Sequence, residues 1–365
     1  MKIDGRAMRT IWLARDGWSV EVIDQTKLPH AVEIARWTTV ADAAQGIKTM
    51  VVRGAPLIGG AAAYGLCLAL RADASDAAMQ SAIEYLARQR PTAVNLRWAL
   101  ERMREALAPL APAERAQTAY REAALLCEGE VEACRMMGVY GARLIRDIAA
   151  RKGGKPVNIL THCNAGWLAC IDWGTATAPI YHAHDAGVPL HVWVDETRPR
   201  NQGASLTAWE LGAHGVPRTL IADNAGGHLM QRGEVDMVLV GTDRVTANGD
   251  VANKIGTYLK ALAARDCGIP FYVALPQSTI DWEMPDGSAI EIEERAAEEV
   301  LHISGRAPDG RIVSVEIAGP GTPAANPAFD VTPARLVTGL ITEKGICAAS
   351  AAGLRTLYGR DAGGA

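Results

Sequence analysis

At 365 residues the chain is long enough for two domains and a sizeable buried core. Its 37 lysines and arginines against 41 aspartates and glutamates give a formal net charge of -4, which excludes the basic surface of a nucleic-acid binder. With 49% hydrophobic and 21% charged residues the composition is that of an ordinary globular chain, and the charge is too small for a disordered acidic tail. The stretch Met1 to Gly17 lacks the apolar centre of a signal peptide, and no uncharged apolar run reaches the roughly 18 residues of a membrane span. A cytoplasmic protein without membrane contact is expected. Its seven cysteines should then be free thiols, and with no CxxC pair a structural zinc site is not expected.

In chain order, residues 1 to about 35 read as short strands and turns. Thr38 and Thr39 offer caps for a helix over 40–48. Met50 to Val52 fits either a strand or the end of that helix. Arg53-Gly54-Ala55-Pro56 then leads into a small-residue helix over 57–70. Pro56 suits a first helical turn, and an arginine beside a helix N-terminus is a ready anion site; the plainer reading is a surface arginine at a tight helix start. Helices follow over 76–89 and 93–108, with Arg90-Pro91-Thr92 at their junction, and a long one over 113–150. The run Arg151 to Pro156 is the best domain boundary, dividing the chain into a mostly helical part, 1–152, and a second part, 153–365.

Beyond it, strand-like runs at 157–160, 190–194, 218–222, 235–240 and 270–275 alternate with helix-length segments. That pattern specifies an α/β fold, a parallel sheet with crossover helices. In such a sheet the turns after the strands share one edge, where ligands bind. Those turns carry Thr161-His162-Cys163-Asn164, Asp195 to Arg198, Asp223-Asn224 and Thr242-Asp243-Arg244. After Asp243 the pattern gives a polar loop, then Asn253-Lys254 and a helix from Ile255. The acidic run Glu291 to Glu299 reads as a solvated face or a helix start, 304–327 as a long loop, and Asp361 to Ala365 as disordered.

Cys163 is expected to open a helix, where a thiol's pKa drops from about 8.5 and its reactivity rises; a buried inert cysteine is the alternative. Asp243 directly follows a buried strand, where partial burial favours the protonated acid; capping the loop or pairing with Arg244 is the alternative. Asp195 to Arg198 also reads as an internal ion-pair network at a dimer contact. Asn201-Gln202-Gly203 offers amide donors ahead of a helix near Ala204. His182 and His184, two apart in a helix, do not share a face for metal. No GxGxxG after a strand, GxxxxGK[ST], HExxH or GxSxG occurs, so nicotinamide, nucleotide, zinc-protease and serine-hydrolase chemistry lose their fingerprints. Neither a cofactor nor a metal is expected.

The motifs together resemble the methylthioribose-1-phosphate isomerases, a family within the superfamily that includes the translation initiation factor 2B regulatory subunits. They are RGAP at 53–56, RPTAVNL at 90–96, THCNAG at 161–166, DETRP at 195–199, QGASLTAWEL at 202–211 and GTDRVTANGDVANKIGTY at 241–258, with NPAFDVTP and ITEKG near the C-terminus. The resemblance implies a Rossmann-like C-terminal domain, a smaller helical N-terminal domain and a homodimer. It makes Cys163 the catalytic cysteine and Asp243 the proton donor, with phosphosugar contacts from Arg53, Gly54, Ala55, Arg90, Gln202, Asn253 and Lys254. The implied reaction turns an aldose 1-phosphate into the ketose 1-phosphate in methionine salvage. Hydrogen moves from C2 to C1 either as a proton through an enediol or as a hydride, and a dry pocket favours the hydride. Trp167, Cys170, Thr242 and Asn224 to Gly227 depart from the family pattern. A 5-deoxyribose 1-phosphate substrate and a non-catalytic regulatory subunit are the alternatives.

Overall fold

The computed structural model describes residues 1–359 apart from Asp4, Pro91 and Thr92. Pro91, Thr92 and the terminal run expected to be disordered lie outside the described residues. The chain opens with the paired β1 (Lys2–Ile3) and β2 (Arg6–Ala7), then an antiparallel sheet of β3 (Ile11–Leu13), β4 (Val20–Ile23) and β5 (Ile34–Trp37). Thr39 caps α1 (Val40–Lys48) in a capping box with Asp42, each side chain accepting from the other's backbone N–H. Met50 to Val52 forms neither strand nor helix but a turn, with Met50 at φ 63°.

The helix α2 (Ala55–Ala72) starts at Gly54, whose φ of 99° and missing side chain let the turn pass against Ala169. A Cβ there would lie 2.5 Å from that backbone, so only glycine fits. By length and apolarity α2 matches a membrane span, yet 78% of it is buried inside the protein, so its apolarity serves packing. Around it pack α1, α3 (Asp76–Ala87), α4 (Val94–Leu107) and the first half of α5 (Pro112–Arg151). The second half of α5, through Met137, Ile145 and Ile148, joins the apolar cluster under the large sheet.

That sheet begins with β6 (Val157–Thr161), β7 (Leu190–Asp195), β8 (Arg218–Ile221) and β9 (Met237–Val240), connected through α6 (Thr177–Asp185), α7 (Ala208–Ala213) and α8 (Ala225–Gln231). Next come β10 (Arg244–Thr246), β11 (Val251–Lys254), α9 (Thr257–Asp266), β12 (Phe271–Ala274) and β13 (Ile280–Asp281). The chain closes with α10 (Glu298–Leu301), β14 (His302–Arg306), β15 (Ile312–Glu316), β16 (Phe329–Thr332), β17 (Gly339–Thr342), β18 (Gly345–Cys347) and α11 (Ala351–Tyr358). The large sheet runs β18-β17-β12-β9-β6-β7-β8 and is parallel except at the β17–β18 edge. All four residues of β9 are buried, as a strand covered on both faces requires.

Two expected loops are hairpins. Residues 242–254 form β10 and β11, which join β13 and β16 in a second, four-stranded sheet; Asn253 and Lys254 therefore sit on a strand. Polar side chains buried beside a cavity broke the apolar alternation that marks a strand. The 304–327 stretch contains the β14–β15 hairpin, masked in the sequence by its Gly and Pro content.

Glu130 of α5 is fully buried, and burial pushes its carboxyl up to about 7 from 4.5. A folded-state value above the unfolded one means that its contribution to stability is present below pH 4.5 and lost as pH rises toward 7. Glu130→Gln should therefore raise Tm at pH 8 by roughly 2–4 °C and much less at pH 5. Equal shifts in melts at the two pH values would contradict this.

Candidate active site

Ile159 of β6 lies opposite Met237 of β9, and the same register carried to the strand ends brings Cys163 level with Gly241. Cys163 adopts φ 64°, a left-handed conformation rare outside glycine. Two threonines hold it there: the Cys163 N–H donates to Thr197 Oγ1 at 2.8 Å, and the Thr207 hydroxyl donates to the Cys163 carbonyl at 2.6 Å. No helix starts at the cysteine. A short 3₁₀ turn spans Trp167–Ala169, and α6 begins only at Thr177. The expected lowering of the thiol pKa is overturned. Burial raises it, outweighing the opposing charges of Arg53 and Lys254.

Arg53 crosses to the same loop. Its Nη1 donates to Asn164 Oδ1 at 2.5 Å and its Nη2 to the Asn164 carbonyl at 2.9 Å. Beneath the loop the carboxylate of Glu210 accepts from the Leu168 N–H at 3.2 Å and the Tyr181 hydroxyl at 3.3 Å. Burial pushes Glu210 up to about 7. A Cβ on Gly166 would fall 1.3 Å from Glu210 Oε1, so the motif's glycine makes room for this carboxylate.

His162 braces the neighbouring strand ends. One ring nitrogen lies 2.8 Å from the Asp195 carboxylate and the other 2.8 Å from the Ile255 carbonyl. His162, Asp195 and Asp223 are the one group among the described residues with ligand atoms spaced for a metal. The Lys260 ammonium, 3.2 Å from Asp195, already brings positive charge there. Asp223 accepts from the Thr197 and Arg198 N–H groups at 2.6 and 2.7 Å.

Asp243 follows β9, its N–H donating to the Ala252 carbonyl at 3.0 Å. The Thr242 hydroxyl lies 2.9 and 2.7 Å from the Arg244 and Ala252 carbonyls and fastens the β10–β11 hairpin. Arg244 reaches Asp281 at 3.3 Å. Lys254 on β11 is buried, its ammonium donating to the Ala328 carbonyl at 2.8 Å, 4.8 Å from the Phe329 ring centroid. Burial, with the nearby charge of Arg295, pushes Lys254 down to about 8.

Several of these groups meet at an open cavity. Arg53, Gly54, Ala55, Arg90, Cys163, Gln202, Asp243 and Lys254 line it, with Met50, Ile58, Val94 and Phe329 as an apolar wall. Asn253 lines a smaller adjoining chamber that shares Arg53, Cys163 and Asp243 with the first. The Gln202 side-chain oxygen and Arg90 Nε have no hydrogen-bond partner among the described residues, although both are buried. Sequence reasoning missed Arg295 and Glu291, which also line the cavity. The signal was a lone arginine inside an acidic run, read as a solvated face.

Residues 51–349 match the initiation factor 2 subunit family. The methylthioribose-1-phosphate isomerase of Methylorubrum populi is 65% identical over 98% of this chain and 98% of its own length. The chain belongs to the methylthioribose-1-phosphate isomerases of the initiation factor 2 subunit family. The structure of 5-methylthioribose 1-phosphate isomerase from Pyrococcus horikoshii superposes with a TM-score of 0.82 at 40% identity, covering 98% of this chain and 97% of that one. Subunit delta of translation initiation factor eIF-2B from A. fulgidus gives 0.79 at 39%, covering 96% and 99%. Every expected site residue, from Arg53 to Lys254, lies inside the stretch matched to the initiation factor 2 subunit family.

The Lys254 value sets a pH limit on anion binding. A lowered ammonium pKa means that positive charge is lost as pH rises past about 8. Inorganic phosphate affinity, measured by calorimetry, should fall up to about tenfold per pH unit above that point and stay flatter in Lys254→Arg. A flat wild-type profile through pH 9.5 would contradict the assignment.

Proposed function

We propose that the chain converts 5-methylthioribose 1-phosphate to 5-methylthioribulose 1-phosphate, an aldose–ketose isomerisation in methionine salvage. The observation that carries this reading is the facing of Cys163 and Asp243 onto one cavity whose rim holds Arg53, Arg90 and Lys254. Arginine and lysine around the cavity suit a phosphate dianion, and the carboxyl and thiol are then left for the sugar.

Phosphate on the anomeric oxygen prevents the ring from opening as a free sugar does. In the proposed sequence Asp243 gives its proton to the ring oxygen as the bond from that oxygen to C1 breaks. The hydrogen on C2 moves to C1 with its electron pair, and the C2 hydroxyl proton returns to the enzyme, so protons balance over the cycle. Two observations support the hydride route over the enediol. The wall of Met50, Ile58, Val94 and Phe329 is apolar. Burial also raises the Cys163 pKa, which leaves a neutral thiol, a poor base toward a C–H bond. Cys163 then acts as a hydrogen-bonding partner at the reacting carbons. Gln202 and Asn253 supply amides toward the sugar, and Gly54 and Ala55 supply backbone N–H groups at the start of α2. A non-catalytic regulatory subunit would have no use for a thiol and a carboxylate facing one cavity. A cytoplasmic homodimer needing no cofactor belongs to the same proposal, and sedimentation at a monomer's mass would remove the dimer from it.

Turnover of 5-methylthioribose 1-phosphate followed by NMR tests the reading. Cys163→Ser and Asp243→Asn should each lower kcat by about 10³-fold or more with unchanged circular dichroism, and a fully active double variant would sink the assignment. Substrate deuterated at C2 should keep its label at C1 in ordinary water. Washout of the label would favour the enediol. The 5-deoxy sugar run in parallel should turn over with lower kcat/KM, and preference for it would move the substrate assignment to that compound.

A further inference from the structure

The cavity holds more positive charge than the expected contacts supply. Arg295 comes from the irregular stretch between β13 and α10 and faces the same space as Arg90 and Lys254. Its side chain is only 8% exposed. Its Nε donates to Glu293 Oε1 at 3.0 Å and its Nη2 to Glu293 Oε2 at 3.4 Å. Its guanidinium carbon lies 5.4 Å from the Phe329 ring centroid, on which the Lys254 ammonium also sits. Arg90 approaches the same Glu293 at 3.9 Å. One carboxylate thus pairs with Arg295, comes near Arg90 and feels the charge of Lys254.

We propose that Arg295 is a further phosphate-binding residue, held over the cavity by Glu293 until the substrate's phosphate takes that carboxylate's place. The inference rests on the phosphosugar reading above. A phosphate dianion offers more charge and more acceptor oxygens than one carboxylate, and it suits two guanidinium forks and an ammonium together. Burial and the charge of Arg295 outweigh the nearby carboxylates and lower the proton affinity of both Arg90 and Lys254. Burial works to raise the Glu293 carboxyl, but the hydrogen bond from Arg295 and the charges of Arg295, Arg90 and Lys254 hold it below its usual value. Glu293 is therefore ionised and occupies the cations.

The position of Arg295 is built into the fold. Its N–H donates to the Asn326 carbonyl at 3.0 Å, and Asn326 Nδ2 donates to the Ala296 carbonyl at 2.9 Å. Asn326 opens the NPAFDVTP motif, and through these bonds the motif seats the arginine opposite Lys254.

Three full-length variants, Arg295→Gln, Arg295→Lys and Glu293→Gln, test this through inorganic phosphate binding by calorimetry and kinetics with 5-methylthioribose 1-phosphate. Arg295→Gln should raise the phosphate Kd and the KM about tenfold or more, with kcat changed far less. Arg295→Lys should recover much of that loss. Glu293→Gln should tighten phosphate binding, because it removes the competing carboxylate while leaving Arg295 in place. Wild-type affinity in Arg295→Gln, or weakened binding in Glu293→Gln, would overturn the proposal, the second because it makes the pair a structural strut. If Arg295→Gln does not fold, the opposite signs expected of the other two still decide. Wild-type protein that binds phosphate through Arg295 but does not turn over the sugar would defeat the isomerase reading and leave this one standing.

Discussion

Arg53 ties the helical half of the chain to the loop that carries Cys163, through two hydrogen bonds onto Asn164 at 2.5 and 2.9 Å. Both ends of this clamp need unusual backbone. Gly54 turns at φ 99° against Ala169, and Cys163 sits at φ 64° between the hydroxyls of Thr197 and Thr207. A left-handed residue with a side chain costs about 1–2 kcal/mol, so it persists only where surrounding bonds over-determine it. Arg53, Cys163 and Asp243 share their cavity because these constraints agree.

Burial and charge then divide the chemistry. The same burial that keeps the Cys163 thiol neutral lowers Lys254, and the charge of Arg295 lowers both Lys254 and Arg90. The Glu293 carboxylate offsets part of this buried positive charge, and a phosphate dianion offsets more of it on arrival. Binding energy from the phosphate end thereby becomes available to hold the sugar against the thiol and the carboxyl. The buried polar residues outside the cavity serve its walls. Glu210 fills the space Gly166 leaves, and His162 joins β6, β7 and the turn after Lys254 through Asp195 and Ile255.

The parallel sheet was legible because its central strands, β9 and β12 above all, are short, mostly buried and apolar, and because the turn after each strand is chemically distinctive. Cys163 and Asp243 stood out for that reason. Their surroundings did not, since they depend on groups distant in sequence: the left-handed backbone at Cys163 is fixed by Thr197 and Thr207. The β10–β11 hairpin read as a loop because Asn253 and Lys254 turn polar side chains inward, against the usual strand pattern. Arg90 was identified only through the resemblance, its local sequence being that of a helix junction. Arg295 was missed altogether, for a charge run carries no sign of which of its members folds inward.

The most direct measurement is a crystal structure of the Asp243→Asn protein soaked with 5-methylthioribose 1-phosphate. The account predicts phosphate oxygens at about 3 Å from Arg53, Arg90 and Lys254, with C1 and C2 lying between the Cys163 sulfur and residue 243. Sugar density elsewhere, or a phosphate pointing away from those cations into solvent, would contradict it.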